Sequence, residues 1–76
     1  MTHLQLDDAR RGLGLSMMDL WVDFFGLGGT FDVFELDRYL RGDRDVSDTD
    51  HNVVVHALNE VFSERGHNHP LAYRSI

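Results

Sequence analysis

Seventy-six residues make one domain, 1–76, near the lower limit for a self-sufficient core, so a partner or a second copy would add stability. Thirteen acids against seven arginines leave a net charge of −6, with no lysine and no cysteine. This excludes a disulfide framework and a thiolate metal site and disfavours nucleic acid and anionic membranes. No apolar run approaches the roughly 18 residues that span a bilayer, and MTHLQLDDARR is too polar for a signal peptide, so a cytoplasmic protein is expected.

The first element is weak, a helical turn or two over 6–12. The first full helix is better punctuated. Ser16 stands as N-cap before MMDLWVDFF, Asp19 follows as its capping-box partner, and Leu15 and Leu20 are spaced for a hydrophobic staple. Met17, Met18, Leu20, Trp21, Val22, Phe24 and Phe25 cover more than half of its circumference, leaving Asp19 and Asp23 on the far side. Such a helix needs burial on two sides, or on one side plus a contact with another molecule. Gly26 is predicted to end it, with Leu27 folding back as in a Schellman cap.

The pentapeptide GLGGT at 26–30 raises the possibility of a phosphate cradle. A phosphate loop, however, carries a lysine after its glycines, and a dinucleotide fingerprint needs a third glycine in a strand-to-helix turn. Here no lysine is present and Asp32 occupies the helix start that would receive the anion. The stretch is predicted to turn a corner, with Gly26 as cap, Gly28 and Gly29 in turn conformations and Thr30 bonding locally.

A second helix opens at Asp32, with Glu35 at N3 and Phe31 stapling to Leu36, and stops at Gly42. Val33, Leu36 and Leu40 form its apolar stripe, bordered by Tyr39 and Phe34. The third opens at Ser47, with Asp48 and Asp50 favouring the helix dipole, and ends at Gly66 ahead of Pro70. Val54, Ala57, Leu58, Val61 and Phe62 make its apolar face, and Asn52, His56, Asn59 and Ser63 are placed facing away. The β-branched run at 53–55 would suit a strand, but caps on both sides outweigh it. The expected fold is all-α, a small bundle of three main helices plus a short N-terminal helical turn.

Five histidines invite a metal reading. His51 and His56 lie five apart, about 140° out of phase on a helix, so they share no face. His56 with Glu60 and His67 with His69 are weak pairs, and nothing gathers the three or four ligands that zinc requires. No metal and no cofactor are expected. His51 falls among Val54, Leu58 and Phe62 and has two readings: a boundary histidine bonded to a backbone carbonyl, or an interface or pH-sensitive residue. The tripeptide Arg41-Gly42-Asp43 is a helix terminator and its flanks. No nucleophile–base arrangement and no small-molecule substrate are evident, so an enzyme is not expected.

DARRGLGLSMMDLWV has the look of a helix-turn-helix, with Ala9, Leu13, Gly14, Leu15 and Leu20 suited to the bend. The recognition helix would then present Met17, Met18, Trp21 and Val22 with Asp19 and Asp23, and no side chain that reads bases. A degenerate DNA-binding protein is therefore the alternative reading, with nucleic acid disfavoured.

The combination LWVDFFGLGGT, then FELDRYLRG, then HNVVVHALNEVFSERG resembles a set of short actinobacterial helical proteins with a pattern like LWxxYFxLGG…HDVxxHALNE. Many of them close on a proline–tyrosine segment similar to HPLAY, and the resemblance covers 8–73. It implies association with sensory or transcription-control proteins and assigns no catalytic residue. The expected function is thus a small regulatory, adaptor-like module that binds a protein partner or a second copy. Its contact would be Met17, Met18, Trp21, Val22 and Phe25, with Trp21 as anchor and Asp19 and Asp23 as an acidic rim. The competing reading makes the same residues core, closed over by Leu4, Leu6, Leu13, Leu71 and Tyr73.

Overall fold

Helix stop signals recur at Gly14, Gly28, Gly42 and Gly66, and each holds a positive φ that only glycine adopts cheaply. In a computed structural model describing residues 3–68 and 70–74, these glycines close four helices. They are α1 (His3–Gly12), α2 (Met17–Gly26), α3 (Val33–Leu40) and α4 (Asp48–Glu64), and no strand occurs among the described residues. The side chain of Leu4 and the whole of His69, both invoked above, lie outside the described residues.

The N-caps form where the sequence placed them. The Ser16 hydroxyl accepts from the Asp19 N–H at 3.0 Å while the Asp19 carboxylate accepts from the Ser16 N–H at 3.1 Å, a complete capping box. Asp32 accepts from the Glu35 N–H at 2.8 Å, and Ser47 from the Asp50 N–H at 3.1 Å.

Three expectations are corrected. The N-terminal element is a ten-residue helix and not a turn or two. Its periodicity is poor, but Leu6 is fully buried and Asp7 bridges Arg10 and Arg11, each at 2.9 Å. Tertiary burial supplies what local propensity lacks. Second, α2 runs through Gly26 and is closed by Gly28, whose N–H bonds the Phe25 carbonyl at 3.1 Å while the Gly29 N–H bonds that of Phe24 at 2.9 Å. This is the Schellman cap expected, two residues later. Gly29 is required for a different reason: a Cβ there would run into the Phe24 ring. Third, Thr30 bonds both carboxylate oxygens of Asp50 at 3.1 Å, so it ties the corner to the start of α4 and does not bond locally.

Helices α1 and α2 each pack on α3 and α4. The seventeen-residue α4 is the central element, with Val54, Val55, Ala57 and Leu58 fully buried among Leu6, Leu20, Phe24, Leu36 and Leu40. Tyr39, placed at a border by the sequence, is buried with them. The larger departure is Asn59, expected to face away and in fact fully buried. The reason is the chain beyond α4, which turns back and covers that side of the helix.

Candidate functional site

The apolar surplus of α2 divides into two parts. Leu20 and Phe24 enter the core, and Met17 and Trp21 are half-buried against it. Trp21 donates its indole N–H to the Phe31 carbonyl at 2.9 Å, which fixes the ring between α2 and the start of α3. The residue expected to anchor a partner is thereby tied into the protein's own corner. Met18, Val22 and Phe25 point outward with relative exposures of 52, 55 and 61%, and their spacing of four and three residues keeps them on one stripe. The Phe25 ring stands 5.2 Å from that of Trp21, so the half-buried and exposed parts are continuous.

Sequence reasoning missed Phe34. It is the most exposed large apolar side chain among the described residues, at 77%. With Met17, Met18, Val33 and Asp37 it lines a shallow groove of about 360 Å³ between α2 and α3. A signal was available, because Phe34 lay on the border of a stripe too narrow to bury it. Asp19 and Asp23 are exposed on the same helix as the apolar stripe, and Asp37 lines the groove, paired with Arg41 at 3.0 Å.

His51 is fully buried, and its partner is a side chain and not the backbone carbonyl of the first reading. The Tyr39 hydroxyl meets its Nδ1, and its Nε2 has no hydrogen-bond partner among the described residues. Burial, then the nearby positive charge of Arg74, push the imidazole pKa down to about 4, opposed by Asp48 and Asp45. Burial likewise raises the Tyr39 phenol. Both groups are neutral near pH 7, and the pair is a polar fastener between α3 and α4.

The polar stripe of α4 is occupied. Asn52, His56 and Asn59 hold residues 71–74, which lie along the helix without regular secondary structure. His56 also pairs with Glu60 at 3.2 Å. Among the described residues no group of three or more histidines and acids could hold a metal ion. Beside the GLGGT corner, Thr30, Glu35, Arg44, Asp45, Ser47 and Asp50 line a polar cleft of about 380 Å³. Three carboxylates against one arginine, itself paired with Glu35, make it unsuited to a phosphate. No helix of the described residues is long and apolar enough to cross a membrane. Comparison with protein-family models, with curated proteins and with solved structures gives no match.

Proposed function

We propose that this chain is a small protein-interaction module, adaptor-like and regulatory, that binds an amphipathic helix of a partner protein on the exposed face of α2 and α3. The observation that carries the reading is the juxtaposition of Met18 and Phe34 on one groove, extended along α2 by Val22 and Phe25. Exposed large apolar groups on two neighbouring helices, beside a half-buried tryptophan, are the composition of a contact surface. The acids choose the partner. Asp37 lines the groove and the chain carries −6, so an apolar helix with basic flanks is complementary. A second copy carries the same negative charge, which disfavours the dimer on this face.

DNA readout has less support. α2, the would-be recognition helix, presents Met18, Val22 and Phe25 with two aspartates. Arg10, Arg11, Arg41, Arg44 and Arg74 are each paired with a carboxylate of this chain.

The test is a titration of the isotope-labelled chain with a designed helical peptide, leucine and phenylalanine along one face and arginines at its flanks. The resonances of Met18, Val22, Phe25 and Phe34 are expected to shift, and Val22→Asp with Phe34→Asp to abolish the response. Shifts elsewhere, or tight salt-sensitive binding of duplex DNA in a parallel mobility assay, would overturn the reading.

A further inference from the structure

We propose that the polar stripe of α4 is a groove for an extended segment of the pattern apolar-x-Tyr-Arg, filled here by the chain's own residues 71–74 and open to the same segment of a second copy. The grip is made at two points. The Asn59 amide donates to the Leu71 carbonyl at 2.9 Å and accepts from the Leu71 N–H at 3.0 Å. The Asn52 amide donates to the Arg74 carbonyl at 2.9 Å and accepts from the Arg74 N–H at 2.7 Å. Each asparagine thus satisfies both backbone groups of one residue, as a neighbouring strand would.

The two repeats are commensurate. Seven helical residues separate the asparagines by about 10.5 Å. Three residues span about 10 Å only when extended, so the two grips call for an extended segment between Leu71 and Arg74. The segment runs antiparallel to α4, since the earlier asparagine holds the later residue. A main-chain grip reads no sequence, so the side chains do: Leu71 packs on the core, the Tyr73 hydroxyl meets His56 Nδ1 at 3.2 Å, and Arg74 reaches Asp48 at 3.3 Å.

The groove and its occupant differ in rigidity. Asn52, His56 and Asn59 stand on the central helix, whose other side is core. In the segment, Pro70, Ala72 and Tyr73 are exposed and Leu71 alone packs on the core. Few buried apolar contacts mean a low free energy of local opening. Once open, the groove accepts the segment of a second copy with every contact reproduced, the arrangement of a domain swap. Charge agrees, because residues 70–74 carry Arg74 and no acid, while Asp48 and Glu60 flank the stripe. The high local concentration of a tethered segment keeps the groove closed within one chain, so exchange becomes dominant when the tether cannot turn back.

Deleting residues 67–69 from the full chain shortens that tether and leaves every groove and segment residue in place. Sedimentation at micromolar concentration is expected to show a dimer for this variant and a monomer for the unaltered chain. Adding Asn52→Ala and Asn59→Ala is expected to return it to monomer. A monomeric tether variant would overturn the proposal, as would a dimer indifferent to the two asparagines. Should the tether variant not fold, amide exchange of the unaltered chain decides. The Leu71 and Arg74 amides are expected to exchange at least ten-fold faster than those of Val55 and Leu58. Equal rates would mean that the segment leaves only on global unfolding, and the groove would then not be exchangeable.

Discussion

His51 is buried against Tyr39 with one ring nitrogen on the phenol and the other without a partner among the described residues, so its neutral form is part of the fold. The consequence is a dependence of stability on pH. In the unfolded chain the imidazole titrates near its ordinary 6.5, and in the folded chain near 4. Above pH 6.5 both states are neutral and the contribution is complete. Between 6.5 and 4 the unfolded state binds a proton that the folded state refuses, so stability is lost as the pH falls; below about 4 the loss levels off. The total is on the order of 3 kcal/mol. Urea unfolding at pH 7.0 and 4.5 measures it, with His51→Gln as reference because carboxylates respond over the same range. An equal acid response in that variant would assign the effect to the carboxylates.

Tyr39→Phe removes the partner that His51 Nδ1 has among the described residues and leaves the ring shape intact. A buried polar atom left unpaired costs about 1–3 kcal/mol. Denaturant unfolding at pH 7.5 is expected to show that loss. A change below a few tenths of a kcal/mol would mean that solvent reaches the imidazole.

The glycines of GLGGT have separable roles, so three alanine substitutions should give three different results. Gly26 lies inside α2 with open space where a Cβ would go, and Gly26→Ala is expected to raise stability by about 0.5–1 kcal/mol. Gly28 has φ +95°, and Gly28→Ala is expected to cost about 1 kcal/mol. Gly29→Ala drives a methyl into the Phe24 ring and is expected to cost most, about 1–3 kcal/mol. Urea midpoints rank them. A loss at Gly26 equal to that at Gly28 would put the helix stop back at the first glycine.

These glycines show where the sequence is legible and where it stops. The N-caps at Ser16, Asp32 and Ser47 involve groups three residues apart, so their signal is local and legible. Among the several glycines of GLGGT the choice of stop depends on where the Phe24 ring packs, which no local pattern reveals. The same holds for α1, whose helix is completed by burial of Leu6. Asn59 and Asn52 read as solvated because their partners lie twelve and twenty-two residues away in sequence. Their spacing of seven was visible, and its meaning was not. Of the candidate surface, Met18, Val22 and Phe25 were legible as surplus apolar area. Trp21 was legible as important but not as internally bonded, because the Phe31 carbonyl it meets is a backbone group without a sequence signal.

Trp21 and Phe34 should therefore respond oppositely to substitution. Trp21→Phe keeps an aromatic ring but loses the bond to the Phe31 carbonyl, so a loss of about 1 kcal/mol in unfolding free energy is expected. Phe34→Ser removes a side chain that is mostly in water, and a change within about 0.5 kcal/mol is expected. In the titration with the basic helical peptide the order reverses: Phe34→Ser is expected to weaken binding at least ten-fold, and Trp21→Phe to weaken it less. Equal stability losses at the two positions would mean that Phe34 is covered within the monomer, and the surface on which the interaction reading rests would be gone.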